Sequence, residues 1–381
     1  MNKILLPGKD GSLSEFELSA IQPFQPHTGP LNRIVYAAAH IVADPADNST
    51  IDWDATINYR KHLWSLNIGV AEAMDTAQRG MGLAWNSAKE LIRLTLEASK
   101  DQKDAKVVCG CGTDHLSLEP GLAIDDVIGA YEEQVEYVES LSGNVVMMAS
   151  RALAGIATSA DDYINVYNRI ISQMRQPVLI HWLGEMFDPA LEGYWGYKDH
   201  RSAMDVVLDI INSNAEKIEG IKISLLDKDM EIKMRRLLPP GVSMYTGDDF
   251  NFPELIAGDD ECHSEALLGI FDAIAPAASE ALGELANGNK ERYYEILEPA
   301  VALSRHIFSD PTRYYKTGIV FMAYLNGHQD HFTMVGGQET KRSIVHLADI
   351  FKLAAKAGLL RDVDMATQRM RSICKLNSIE S

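Results

Sequence analysis

A lysine lies at the centre of the apolar segment IEGIKISLLD, residues 218–227. The segment has the length and composition of a buried β-strand, in which successive side chains point to opposite faces. Lys222 and Ser224 therefore share one face, and the flanking isoleucines share the other. If both faces are covered, the ammonium group of Lys222 is held away from water. Its pKa then falls, because burial disfavours the charged form.

A neutral lysine amine is a nucleophile. It can condense with a carbonyl compound to give a Schiff base, which acts as an electron sink when a carbon–carbon bond is made or broken. The alternative is a structural lysine, whose stem is buried and whose head reaches the strand end to pair with Asp227 or Asp248. The segment by itself leaves both alternatives open.

The surrounding sequence predicts the elements that would position this lysine. Short apolar or β-rich runs alternate with segments whose apolar residues recur three and four positions apart, which indicates helices. Strands that alternate with helices predict a parallel sheet covered on both faces, and eight units over about 240 residues fit a closed (β/α)8 barrel. An open, doubly wound sheet is the rival, but no strand precedes the G-x-G-x-x-G turn of a dinucleotide site. The eight runs cover residues 33–40, 66–74, 106–112, 144–150, 177–183, 220–226, 242–247 and 264–270.

Two further regions flank the predicted barrel, which we assign to residues 31–275. Residues 1–30 hold two short strands around a Gly-Lys-Asp-Gly turn, the pattern of a β-hairpin, followed by a Pro-rich linker. In residues 276–381 the strand signals stop and successive amphipathic helices follow, several of them ended by glycine. The predicted fold class is α/β: a (β/α)8 TIM barrel with an N-terminal β-hairpin and a C-terminal helical extension.

Composition limits the partners and the location. The chain has 35 Lys and Arg against 54 Asp and Glu, a formal charge of −19, and such a surface repels nucleic acid and anionic membranes. No apolar run approaches the ~20 residues that span a bilayer. The apolar stretch near the N-terminus is too short for a secretion signal. We therefore predict a cytoplasmic protein that binds neither nucleic acid nor membranes.

Several segments resemble one known family. The string GIKIS, followed about two dozen residues later by YTGDD, is similar to the G-I-K-[DE]-[SA] and S-G-D-D motifs of the dihydrodipicolinate synthase and N-acetylneuraminate lyase family. RIVYAAAHIVADPADNSTIDWDA resembles the family's first strand and loop, KVVCGCGTD its third strand and PVLIHWLG its fifth. The resemblance covers about residues 31–325.

The resemblance implies a function. Members of the family are (β/α)8 barrels with a C-terminal helical segment, mostly homotetramers or dimers, and their strand-six lysine forms a Schiff base with a 2-keto acid, typically pyruvate. By position that lysine is Lys222. The chain would then be a class I aldolase-type lyase that acts on a small carbonyl substrate, needs no cofactor and forms a homodimer or homotetramer.

Three positions depart from the family's pattern. His181 stands where the family has a proton-relaying tyrosine on strand five, and an imidazole has a pKa suited to acid–base chemistry. The G-T-T-G-E turn that binds the substrate carboxylate is replaced by MDTAQRG, in which Asp75 precedes Thr76. The arginine of the loop after strand five is missing, and Met186 stands near its place. The chain therefore resembles a divergent branch of the family.

Asp75 changes the expected substrate. A carboxylate at this position would repel a substrate carboxylate, so a neutral polyhydroxylated aldehyde or ketone fits better than pyruvate, although Arg79 or Arg151 could restore anion binding. Lys222 and His181 are the predicted catalytic residues. The residues predicted to shape the pocket are His40, Asp75, Thr76, Arg151, Thr246 and Asp248.

The same end of the barrel supports a rival mechanism. Histidine and carboxylate side chains are ligands for zinc or manganese, and a metal could polarise a carbonyl without a Schiff base. The spacing of the candidates has no metal signature of the H-E-x-x-H kind. A metal-dependent lyase, isomerase or hydrolase is thus one alternative, and a barrel that binds a small molecule without catalysis is another. The candidate ligands are His40, His181, Glu185 and His263.

Overall fold

The computed structural model describes residues 2–19 and 22–379, and this part of the chain contains ten β-strands. Two strands form an antiparallel N-terminal hairpin, and eight form a closed barrel. The hairpin strands are β1 (Asn2–Pro7) and β2 (Leu13–Leu18). The barrel strands are β3 (Val35–Ala38), β4 (Gly69–Glu72), β5 (Val107–Cys111), β6 (Asn144–Met147), β7 (Val178–Leu183), β8 (Ile218–Ser224), β9 (Ser243–Thr246) and β10 (Glu265–Leu268).

The same described residues contain fourteen α-helices. None of the helices described in residues 2–19 and 22–379 is both long enough and apolar enough to cross a membrane. The helices are α1 (Trp53–Ser65), α2 (Trp85–Ser99), α3 (Ile124–Ser140), α4 (Arg151–Ile156), α5 (Ala160–Gln173), α6 (His200–Ser213), α7 (Lys228–Leu237), α8 (Phe252–Ala257), α9 (Ile270–Ala273), α10 (Ala275–Ala286), α11 (Lys290–Ile307), α12 (Tyr315–Leu325), α13 (Ile344–Lys356) and α14 (Val363–Leu376).

The chain divides into two compact units. The barrel unit comprises Arg33–Ala39 and Gly69–Leu268, and the helical unit comprises Met1–Asn32, His40–Ile68 and Gly269–Ser381. The predicted fold class is confirmed, with a closed parallel barrel, an N-terminal hairpin and C-terminal helices. The predicted domain boundaries, at residues 30/31 and 275/276, stay a prediction.

Alternating residues of the barrel strands fill the barrel interior. The strands run in the order β10-β3-β4-β5-β6-β7-β8-β9, with all neighbours parallel. Tyr36, Leu179 and Tyr245 belong to one buried apolar cluster, as expected for a barrel packed with side chains. Gly220 makes room in β8 for an aromatic ring, because an added Cβ would lie only 2.8 Å from Cε2 of Tyr245.

The register of β8 places Lys222 inside the barrel. Leu179 of β7 pairs with Gly220, and two residues further His181 pairs with Lys222. Side chains two residues apart on a strand share a face, so His181 and Lys222 point inward with Leu179. Lys222 retains only 7% of its exposed surface and Ser224 only 2%. The prediction that the lysine lies on a covered face is confirmed.

The helical unit has its own core. Phe16 of β2 and Phe351 of α13 meet edge to face with ring centroids 6.3 Å apart. Every residue of α12 is buried, because α9, α11, α13 and α14 all contact this helix. The expectation that each C-terminal helix is amphipathic was wrong for α12, since a helix enclosed by its neighbours needs no polar face.

Candidate active site

A cavity of about 230 Å³ opens in the barrel unit at the carboxyl ends of β4 to β7. This is the end at which barrels of this kind carry their chemistry. Loops after β4, β5 and β6 supply most of its polar lining, and β7 supplies an imidazole. The polar side chains of the lining are Asp75, Arg79, Thr113, Asp114, Arg151, His181 and Asp188.

The charge of Lys222 interacts with the carboxylate of Asp75 in this lining. Burial lowers the pKa of its amine from 10.5 to about 8, while the nearby carboxylates of Asp249 and Asp75 oppose the fall. In the described part of the chain, no hydrogen bond or ion pair fixes Nζ. With a pKa of about 8, roughly one amine in ten is neutral at pH 7, against about one in three thousand at 10.5. The amine is thus available as a nucleophile.

His181 lies beside Lys222 at the paired position on β7. Burial, with a further contribution from the charge of Lys222, lowers the pKa of His181 well below 6.5. The imidazole is therefore neutral at pH 7. Its Nε2 lies 3.2 Å from Oγ of Ser224, which shares a strand face with Lys222. A neutral imidazole and a hydroxyl can pass a proton to or from a ligand at the amine.

Gly247 leaves room for the side chain of Lys222, because it has no Cβ. A Cβ at this position would lie 2.7 Å from Cε of Lys222, 2.6 Å from the main-chain oxygen of Ile223 and 2.2 Å from Oγ of Ser224. The backbone N–H of Gly247 donates to that same main-chain oxygen over 2.8 Å. The glycine cannot move away without loss of this hydrogen bond, so any side chain here displaces the lysine.

We expect Gly247→Ala to cost stability and to misplace the amine together. Overpacking of a tight interior typically costs about 1–3 kcal/mol, so the free energy of unfolding should fall by that amount in a urea titration. The rate of Lys222 modification by a carbonyl probe with cyanoborohydride should fall at least tenfold. Gly129→Ala is the control, because an added Cβ at this exposed position of α3 would meet nothing within 4 Å. An unchanged modification rate in Gly247→Ala would contradict this assignment of Gly247.

Arg79 is held by neighbouring residues. Its Nε donates to Oδ2 of Asp114 over 3.0 Å, and Nη2 donates to the same carboxylate and to Oε1 of Gln134. Nη1 donates to the main-chain oxygens of Ala73 and Gly110. The guanidinium thus donates to the loops after β4 and β5, to β5 itself and to α3. Arg79 therefore shapes the wall of the cavity.

Arg151 is the other guanidinium of the cavity. It begins α4, where the hydroxyl of the N-cap Ser150 accepts from Leu153 N–H. Its Nε donates to Asp188, and Nη1 donates to the main-chain oxygen of Gly80 over 3.3 Å. The side chain remains 40% exposed, so it can turn toward a ligand. Since both guanidiniums face a carboxylate and Asp75 adds another, the lining has no excess of positive charge.

Two other predicted pocket residues hydrogen-bond to α7 or to the loop after β9. The hydroxyl of Thr246 donates to Glu231 over 2.9 Å. Asp248 accepts from the backbone N–H groups of Phe250 and Asn251. Asp227, the other suggested partner of the lysine, caps α7. The carboxylates that act on Lys222 are therefore Asp249 and Asp75.

The remaining predicted residues lie apart from the cavity lining. Thr76 is buried in a short 3-10 turn, Asp75–Ala77. His40 belongs to the helical unit, where its Nδ1 lies 2.8 Å from Oδ2 of Asp272. The roles predicted for both residues stay predictions.

The suggested metal ligands do not converge. Glu185 lies 3.2 Å from His200, and His263 lies 3.4 Å from Glu265. Within residues 2–19 and 22–379, no group of three or more His, Cys, Asp or Glu side chains could hold a metal ion. The metal-dependent alternative stays a prediction.

Sequence reasoning missed part of the site. Period-two alternation placed Ser224 on the face of Lys222, but Ser224 was not among the predicted site residues. The hydroxyls of Thr113 and Ser150 lie 2.5 Å apart at the cavity wall, and the backbone N–H of Ser150 donates to the hydroxyl of Tyr194. These contacts join three segments that are distant in sequence, and no local sequence pattern predicts them.

Several solved structures share the fold of this chain. The structure is similar to that of dihydrodipicolinate synthase from Aquifex aeolicus, with 12% sequence identity and a TM-score of 0.64 over 87% of this chain and 100% of that chain. It is also similar to the enzyme from Oceanobacillus iheyensis, with 14% identity and a TM-score of 0.61 over 84% and 96%. A third similar structure is the chloride-inhibited synthase from Acinetobacter baumannii in complex with pyruvate, with 13% identity and a TM-score of 0.60 over 87% and 100%. At such identities the likeness shows a shared fold.

The family of the chain is narrower. A family model described as "Protein of unknown function (DUF993)" matches residues 4–379, and the chain belongs to that family. No curated protein sequence matches it. The chain therefore has the fold of the dihydrodipicolinate synthases and belongs to a family described as being of unknown function.

Proposed function

We propose that this protein is a class I aldolase-type lyase in which Lys222 forms a Schiff base with a small carbonyl substrate. The observation that carries the proposal is the inward amine of Lys222. Its pKa is lowered to about 8, and its neighbours His181 and Asp75 line a cavity at the carboxyl ends of the strands. The fold shared with dihydrodipicolinate synthases supports the same chemistry.

The reaction uses the residues as follows. The neutral amine of Lys222 attacks the carbonyl carbon, and water leaves as the imine forms. A proton is then removed from the hydroxyl on the far carbon of the bond to be broken, so that this carbon leaves as the carbonyl carbon of the first product. The carbon–carbon bond breaks, and its electron pair moves into the protonated imine to give an enamine. Protonation and hydrolysis of the enamine release the second product and restore the amine.

His181 and Ser224 are the proton carriers of this scheme. The imidazole is neutral, because burial and the charge of Lys222 lower its pKa, so it can accept a proton from a substrate hydroxyl. Ser224 lies within hydrogen-bonding distance of the same ring and can orient it.

The charges of the cavity favour a hydroxylated, uncharged carbonyl compound. Arg79 and Arg151 face Asp114 and Asp188, respectively, and Asp75 adds a carboxylate that can accept hydrogen bonds from substrate hydroxyls. A keto acid would have to draw Arg151 away from Asp188. The preferred substrate class is therefore a hydroxy-aldehyde or hydroxy-ketone, with 2-keto acids second.

Borohydride trapping tests the proposal. The full-length protein is incubated with dihydroxyacetone, hydroxypyruvate or pyruvate, reduced with borohydride, and digested for mass spectrometry. We expect an irreversible addition on the peptide that carries Lys222, with the highest yield for dihydroxyacetone. Lys228, which follows the same strand and whose side chain is 39% exposed, is an internal control. Equal modification of Lys222 and Lys228 would contradict the proposal. Activity that a chelator abolishes would favour the metal-dependent alternative, and tight binding without turnover would favour a binding protein.

A further inference from the structure

A second cavity lies within the helical unit. It measures about 310 Å³ and is lined by the N-terminal segment, α1, the start of α10, α12 and the turn before α14. Most of its wall is apolar, including Phe24, Pro276, Met322 and Leu360. Small-molecule pockets in proteins typically measure about 300–1,000 Å³ and are largely apolar with a few polar groups. The cavity thus has the size and lining of a ligand site.

One end of this cavity is polar. The rings of His62 and His328 are tilted against each other with centroids 4.5 Å apart, and the exposed Arg361 lies at the same end. Nε2 of His62 is buried and has no hydrogen-bond partner among the described residues. Buried polar atoms in proteins nearly always have a partner, and a ligand group in the cavity would supply one. No ion pair in the described part of the chain engages Arg361.

Two neutral imidazoles and one guanidinium meet at this end. Burial first, and Arg361 second, lower the pKa of His62, while the carboxylate of Asp272 opposes the fall. Burial, His62, His40, Arg361 and Arg369 lower the pKa of His328 to about 3. Both imidazoles are therefore neutral, and a neutral imidazole can donate one N–H.

Asp272 is the carboxylate that lines the cavity. It is already engaged, because it accepts from the backbone N–H of His40 over 2.8 Å and lies 2.8 Å from Nδ1 of the same residue. The hydroxyl of Tyr59 donates to its main-chain oxygen over 2.6 Å and lies 3.3 Å from Oδ1 of its carboxylate. The carboxylate is thus held by His40 and Tyr59, which leaves Arg361 as the cation that faces the polar end.

We infer that this cavity binds a small monocarboxylic acid with an apolar tail. Its carboxylate is held by the guanidinium of Arg361 and an imidazole N–H of His62, and its tail packs against Met322 and Leu360. A guanidinium matches a carboxylate in shape and charge, and the apolar wall favours the tail. The inference is independent of the chemistry proposed for Lys222.

Calorimetric titration of the full-length protein tests the inference. The probes are octanoate, octanamide and acetate. Octanoate has both the apolar tail and the carboxylate, octanamide has the tail without the charge, and acetate has the charge without the tail. We expect octanoate to bind with one site per chain, and octanamide and acetate to bind at least tenfold more weakly. Equal affinity for octanoate and octanamide would overturn the assignment of a carboxylate. Undetectable octanoate binding at millimolar concentration would overturn the site itself.

Two variants locate the site. Arg361→Gln removes the cation and should weaken octanoate binding by about tenfold to a hundredfold, since a hydrogen bond to a charged group contributes roughly 1.5–3 kcal/mol. Ala323→Leu adds bulk to the cavity wall on α12 and should block the tail. Arg292→Gln removes a surface arginine outside the lining and should leave binding unchanged, as should Lys222→Met in the barrel unit. Binding that survives both Arg361→Gln and Ala323→Leu would overturn the inference.

Discussion

Lys222→Arg is expected to abolish turnover, with a fall in kcat/KM of at least a thousandfold on any substrate that the trapping screen identifies. A guanidinium keeps the positive charge and the hydrogen-bonding capacity of the side chain, but it stays protonated at any physiological pH and cannot form the imine. The substitution therefore separates covalent catalysis from electrostatic assistance. Activity is measured by following product formation, and the same samples are reduced with borohydride.

The matched control is Lys228→Arg, since Lys228 begins α7, the helix that follows β8, and pairs with Glu254. This control should keep the activity of the wild type within a factor of two. A Lys222→Arg variant that retains a tenth or more of the activity would contradict a Schiff base, because it would show that charge alone is sufficient.

Lys222→Met is expected to make the protein more stable while it removes the amine. The pKa of Lys222 falls from 10.5 to about 8 in the folded chain, which corresponds to roughly 3 kcal/mol at 1.36 kcal/mol per pKa unit. At pH 7 the folded protein carries the full cost of a buried charge. Methionine has a similar length, no charge and good packing properties, so we expect an increase in the free energy of unfolding of about 1–3 kcal/mol.

The stability gained by Lys222→Met should decrease as the pH rises. Below pH 8 the lysine is protonated in both states, and the advantage of Lys222→Met is complete. Between pH 8 and 10.5 the unfolded chain binds a proton that the folded chain does not, so the wild type becomes more stable as the pH rises. The advantage therefore shrinks through this window and is lost above it.

Urea titrations at pH 7 and pH 10 measure both effects of Lys222→Met. Lys228→Met is the control, and its stability should differ from the wild type by no more than about 0.5 kcal/mol, because surface ion pairs contribute little. A Lys222→Met variant that is less stable than the wild type at pH 7 would contradict the burial cost of the lysine.

The barrel could be predicted because local patterns determine it. Each of the eight predicted runs overlaps one strand of the barrel, and the alternation with helices gave the parallel order. Period-two alternation placed Lys222 and Ser224 on one face, and the register of β8 against β7 confirms that this face points inward. The family resemblance was confirmed at the level of fold.

The cavity lining was harder to predict, because it depends on contacts between distant segments. Asp248 and Asp249 are adjacent in sequence, yet the first caps its own loop and the second acts on the lysine. His40 follows β3 but is bound by Asp272, which lies 232 residues further along the chain. No sequence pattern near His40 predicts that partner.

The state of the Lys222 amine can be measured directly. Lysines labelled with ¹³C at Cε are followed by NMR between pH 6 and pH 12 in the wild type and in Lys222→Met, and the signal that the variant lacks is that of Lys222. A midpoint near pH 8 is the expected result, well below the values of the surface lysines. A midpoint near the ordinary 10.5 would show that the amine remains charged at neutral pH, and would contradict its proposed role as the nucleophile.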